Sequence, residues 1–192
     1  MSDRHILHAA EKLVHALNKT LDENLPAEIA EIVKIHSAGA AAAGVAAGWI
    51  PGAGGLAAVG ISAGFIWSMY GRINAKIGLP LTENVVKSLG TGIATNLAAY
   101  FVGGLITSTV FSLLPGIGSV GASVVVGGTS YALTLASGYV YLKLLANIFL
   151  SGNDPTRMDV DSFKRAAENV VASENMKTVI DDAKSSYTPP KK

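Results

Sequence analysis

The sequence predicts an all-α protein: two helical hairpins, each tipped by Pro-Gly-x-Gly, forming a membrane-associated bundle with an amphipathic N-terminal helix and polar C-terminal helices. Three observations predict it. No Asp, Glu, Lys or Arg occurs between Lys34 and Arg72, nor between Lys87 and Lys143. The corner Ile50-Pro51-Gly52-Ala53-Gly54 recurs, 64 residues on, as Leu114-Pro115-Gly116-Ile117-Gly118. Outside these runs, apolar residues return at the three-to-four spacing of a helix face. The composition agrees: 49% of residues are hydrophobic and only 15% charged, against roughly 25% charged in ordinary soluble domains, and mean hydropathy is +0.39.

Elements follow in order. Residues 4 to 22 read as an amphipathic helix, with Ile6, Leu7, Ala10, Leu13, Val14, Leu17 and Leu21 on one face. Pro26 suits the first turn of a second helix, and Glu28 complements its dipole. That helix runs on to Trp49, where Pro51 forbids continuation and Gly52 and Gly54 permit a tight reversal. The return helix spans about 56 to 77 and is broken by Gly78-Leu79-Pro80, after which Thr82 and Glu83 open a helix reaching about Leu114. Pro115, Gly116 and Gly118 form the second corner, and Ser119 caps a helix to about Leu150. Asp159 or Asp161 caps a polar helix, and Ser173 starts a last short one. β-Branched runs at 106–110, 124–126 and 139–141 offer a strand alternative, but no regular turn signals break them. Three segments result: 1–33, the hydrophobic double hairpin 34–150, and the polar tail 151–192.

An uncharged run from Ser88 to Leu142 is about two membrane spans long at roughly 20 residues per span. Gly44 with Gly48, and Gly60 with Gly64, make G-x-x-x-G pairs, whose smooth faces let helices approach closely in lipid. With both tips uncharged and Arg72, Lys76 and Lys87 flanking the spans, the termini are expected on the cytoplasmic side of an inner membrane. Trp49, Trp67, Tyr70, Tyr100, Tyr139 and Tyr141 are candidate interface anchors. The start, with Asp3 and no continuous apolar core, does not read as a signal peptide. The first hairpin is the shorter one, spanning or re-entrant.

Gly116-Ile117-Gly118-Ser119-Val120-Gly121 satisfies a dinucleotide-binding pattern, but Pro115 precedes it and no acid follows until Asp154. No P-loop is present either, so the glycines are read as corners, not as a cofactor site. Net charge is +1 and cysteine is absent, which gives no field for nucleic acid and no thiolate chemistry. His5 and His8 form an i, i+3 pair without a third ligand; His36 reads as an interface or capping residue. Asn96 and the surrounding Thr and Ser side chains either line a polar path or bond between helices. No catalytic, cofactor or metal site is assigned.

The Ala-rich helix, Ile50-Pro51-Gly52-Ala53-Gly54, a helix reaching Met69-Tyr70 and Ile73, then Gly78-Leu79-Pro80-Leu81, and later Leu113-Leu114-Pro115-Gly116-Ile117-Gly118 with Tyr131-Ala132-Leu133, together resemble a bacterial domain family of unknown function. That family occurs as the hydrophobic C-terminal domain of Era-like GTPases and in YcjF-type inner-membrane proteins. The resemblance covers about residues 34 to 150. It implies a helical, membrane-associated module linked to a GTPase, here a separate protein since this chain carries no GTPase motif. Taken together, the expected role is a membrane-embedded scaffold or anchor, homo-oligomeric, with the bilayer and a protein partner as its contacts. A pore-forming or membrane-remodelling protein and a soluble oligomeric bundle are the alternatives.

Overall fold

A computed structural model of the chain describes residues 3–19, 22–49, 54–98, 100 and 118–188. Among these, seven α-helices form and no strand does, so the strand alternative fails at 124–126 and 139–141. They are α1 (Asp3–Ala16), α2 (Leu25–Gly48), α3 (Gly54–Ile77), α4 (Glu83–Ala98), α5 (Gly118–Leu150), α6 (Val160–Ser173) and α7 (Met176–Ser185), with a 3-10 turn at Pro155–Arg157. Of the two corners, Pro51, Gly52, Pro115 and Gly116 lie outside the described residues, while Gly54 and Gly118 are the first residues of α3 and α5.

Helix ends have local causes. Three helices close in the same way, with a residue at positive φ: Asn18 (55°), Gly78 (73°) and Gly152 (71°). In each, the following amide reaches back five residues, as in Leu79 N–H to the Asn74 carbonyl at 2.8 Å. This Schellman geometry satisfies carbonyls that the helix end would orphan. It stops α1 at Ala16 and not at residue 22, as its apolar spacing suggested; Asn is the side chain that best tolerates that conformation after Gly. Asp159, not Asp161, caps α6, accepting from Ser162 N–H at 2.8 Å. The cap of α7 is Asn175, accepting from Thr178 N–H, and Ser173 is instead the last residue of α6.

Helix α5 is the axis of the molecule. It packs on α1, α2, α3, α4, α6 and α7. Pairings fix directions. Glu28 meets Lys76 and Gly39 faces Phe65, so α2 and α3 are antiparallel. Tyr70 donates to the Ser137 carbonyl at 3.0 Å and Tyr141 to Asn74 Oδ1 at 2.6 Å, so α3 and α5 run parallel, as two copies of one repeated return helix would. One hydrophobic cluster holds Ile6 and Leu13 of α1, Ile29 and Val33 of α2, Ile73 of α3, Leu89 of α4, most of α5 from Ala132 to Ile148, Phe163 of α6 and Ile180 of α7. The core therefore joins all three sequence segments. Burial of Leu, Ile and Phe side chains at about 1.5–3 kcal/mol each is its main stabilising term.

Candidate membrane-facing site

The apolar helices do not all meet the same surroundings. Among the described residues, two are long and apolar enough to cross a membrane, Leu25–Gly48 and Ser123–Leu150. A helix that is apolar all round belongs either in a core or in lipid, and α5 from Ala132 onward has protein on its sides: Ala132, Leu133, Leu135, Ala136, Val140, Leu144 and Leu145 are all buried. Helix α7 and its flanks cover part of it: before α7, Glu174 holds Lys143 at 2.6 Å, and after it Tyr187 rests on Gly127 and Gly128. Helix α6 brings Lys164 and Glu168 beside Gly92 and Asn96 of α4.

The outer face of α2 and α3 is different. From Ile35 to Gly71 the sequence has no charged side chain. On α2, Ile35 (54% exposed), Ala38, Ala42, Ala46 and Trp49 (52%) form one exposed apolar stripe. Ile35 to Trp49 rises about 21 Å at 1.5 Å per residue. Beside the stripe, a groove of about 480 Å³ opens between α2 and α3, floored by Gly39, Ala43 and Gly64 and walled by Ile35, Ile61 and Phe65. It exists because glycine leaves the backbone bare: a methyl built on Gly60 or Gly64 would meet no atom within 4 Å.

The polar end of the groove is set by His36, Ser68 and Arg72. His36 is 5% exposed, so it is an interior residue and not the interface or capping histidine that its place in the sequence suggested. Its Nδ1–H donates to the Ile32 carbonyl at 2.7 Å, and its Nε2 takes the Ser68 hydroxyl at 3.3 Å. Arg72 lies one turn beyond Ser68 and is exposed. At the same level Lys34 pairs with Asp3 at 2.9 Å, and Lys87 pairs with Glu83 and lies 5.9 Å from the Trp67 ring centroid. One turn further, Lys76 pairs with Glu28 at 2.6 Å. Arg72 has no ion-pair partner among the described residues.

The other sequence candidates separate. Gly44 and Gly48 sit where α2 crosses α5: a methyl on Gly44 would lie 2.8 Å from Ser130 Oγ, and one on Gly48 would overlap the Ser123 backbone. Their close approach is within the chain. Gly60 and Gly64 face open space. Of the proposed interface aromatics, Trp49 and Tyr100 are exposed, but Tyr70 and Tyr141 are fully buried and stack on each other at 3.8 Å between centroids. That stack, with its bonds to Ser137 and Asn74, is an internal polar layer, and no spacing in the sequence pointed to a meeting of Tyr70 and Tyr141. His5 lies 3.7 Å from Asp182 and His8 3.4 Å from Glu11; among the described residues no group of three or more His, Asp or Glu could hold a metal. Asn96 is half-buried and faces Lys164 and Glu168, and Ser130 and Thr134 are buried among the helices, so these polar residues do not line one path. Comparison with protein-family models, curated proteins and solved structures finds no match.

Proposed function

We propose that this chain is a membrane-anchored helical scaffold, held to the inner (cytoplasmic) membrane by the outer face of α2 and α3 and by the uncharged corners, with α1, α6, α7 and the termini in the cytoplasm. The observation that carries it is the one-sided distribution of charge: no charged side chain occurs from Ile35 to Gly71, and the described exposed positions Ile35, Ala38, Ala42, Ala46 and Trp49 leave an apolar stripe bare, whereas the apolar faces of α1, α6 and α7 are spent on the core and their charged faces look outward. Exposed contiguous apolar surface of this kind marks membrane or protein contact. Self-association through the exposed Ala38, Ala42 and Ala46 stripe accords with small-residue helix packing in lipid, and the resemblance of residues 34–150 makes a separate GTPase the proposed partner. Membrane separation without detergent tests the anchor. The chain is expected to float with vesicles and to resist alkaline carbonate; a freely dissolved monomer in plain buffer would end this reading.

A second reading, conditional insertion with pore formation or remodelling, is favoured by one feature. The apolar α5 is wrapped by amphipathic α1, α6 and α7, so a full span by α5 requires those covers to leave. Dye release from loaded vesicles supports this second reading; floating without release supports the anchor.

A further inference from the structure

We propose that the α2–α3 groove is a binding site for one anionic phospholipid, its acyl chain along Gly39, Ala43, Ile61 and Gly64 and its phosphate on Arg72. The assignment rests on the membrane reading above for where the lipid comes from, but the site itself is defined by its own chemistry.

Three features point to that occupant. The groove is apolar along its length and polar at one end only, which is the layout of an amphiphile. Its length along α3 from Ile61 to Arg72 is about 16 Å, close to one leaflet of a hydrocarbon core about 30 Å thick. The third is charge. Lys34, Lys76 and Lys87 are each engaged by a carboxylate, but Arg72 at the mouth has none among the described residues. A guanidinium offers a planar fork of donors that matches a phosphate diester. A zwitterionic headgroup would bring its own cation to the same place, so the phosphate of an anionic lipid is preferred.

The rim of the groove is also free to be altered. Because nothing lies within 4 Å of a methyl at Gly64, Gly64→Leu fills the groove without displacing the core, and it raises helix propensity. Arg72→Gln removes the cation and leaves the apolar walls intact.

The test uses the full chain in a non-ionic detergent, titrated with phosphatidylglycerol or phosphatidylcholine of the same acyl length and read by native mass spectrometry. The wild type is expected to retain one phosphatidylglycerol per chain, with a preference over phosphatidylcholine of about fivefold, the worth of one basic side chain at an anionic surface. Arg72→Gln should bring the ratio to about one, and Gly64→Leu should remove both lipids while its circular dichroism stays helical. An unchanged ratio in Arg72→Gln, or undiminished lipid in Gly64→Leu, overturns the proposal. So does full displacement of phosphatidylglycerol by inorganic phosphate, because the acyl chain would then contribute nothing. A wild-type dimer that binds no lipid and that Gly64→Leu dissociates would give the groove to a second copy instead. Vesicle flotation is scored separately: lipid retained without flotation ends the anchor reading alone, and flotation without retained phosphatidylglycerol ends the groove proposal alone.

Discussion

At the residue scale, the same amino acid plays opposite parts according to what stands across from it. Gly48 is pressed on the backbone of Ser123, so Gly48→Ala must push α2 away from α5. Overpacking of this kind costs about 1–3 kcal/mol. Gly60 meets nothing, so Gly60→Ala should instead stabilise by about 0.5–1 kcal/mol, the helix penalty of glycine against alanine. Denaturation of the two variants in one detergent checks the pair, and equal shifts of the same sign would refute the described packing. Gly78 differs from both, since its φ of 73° and not its surroundings demands glycine. Gly78→Ala should cost about 1–2 kcal/mol through left-handed backbone strain. The buried tyrosines set a further test. Tyr141→Phe removes the hydroxyl that donates to Asn74 Oδ1 inside the core, leaving a buried acceptor unpaired, and should destabilise by about 1–3 kcal/mol.

Among the elements, the α6–α7 junction is held to α5 by a triad that sequence spacing did not bring together: Glu174, the residue after α6, accepts from Lys143 at 2.6 Å and from Tyr139 at 2.8 Å. Burial works against ionisation of Glu174, yet the Lys143 ammonium and the Tyr139 hydroxyl outweigh it and hold the carboxyl below its usual range. A carboxyl depressed in the folded state adds stability above its unfolded value, near 4.3, and loses it as pH falls through the folded value. The start of α7 should therefore loosen in acid before the core melts, which hydrogen exchange of its amides against pH measures. Glu174→Gln should abolish that pH dependence and show faster exchange at neutral pH. What sequence foretold among the elements was their existence and type: the helices about α2, α3, α5 and α6, and the break at Gly78, follow from apolar period and from Pro and Gly chemistry. What it missed were ends and neighbours. Asn18 stops α1 by a backbone conformation that Asn merely permits, and Asn175 caps α7 although Ser173 is by type an equally good cap. Tyr70 and Tyr141 were legible as amphipathic aromatics, but an amphipathic aromatic suits a membrane interface and a hydrogen-bonded core equally well. Only the parallel run of α3 beside α5 decides for the core. The groove lay half in view: Gly64 was a candidate for close helix contact, and the structure gives it open space instead.

For the whole molecule, the question is which side of the bundle would meet lipid under the proposed anchoring, and an added charge puts it in a form that can be tested. A charge-free stretch carries no label for its neighbour; α5 as far as Leu142 and the outer face of α2 are equally uncharged, yet one is largely inside protein and the other is bare. The two faces can be told apart by adding one charge to each at a site already open to the outside. Ala46 is exposed on the α2 stripe, and Thr95 is exposed on α4, where α6 already places Lys164 and Glu168. An aspartate set into hydrocarbon costs about 2.5–3.5 kcal/mol, roughly a hundredfold in partition at about 1.4 kcal/mol per tenfold. Ala46→Asp is thus expected to lower vesicle co-flotation by about that factor, and Thr95→Asp to leave it unchanged, with both chains equally helical by circular dichroism. If Thr95→Asp is the variant that detaches, the membrane face is α4 and α6 must swing away to reach it. If neither detaches, no outer face of this bundle is in lipid, and the bare stripe on α2 is a contact between proteins.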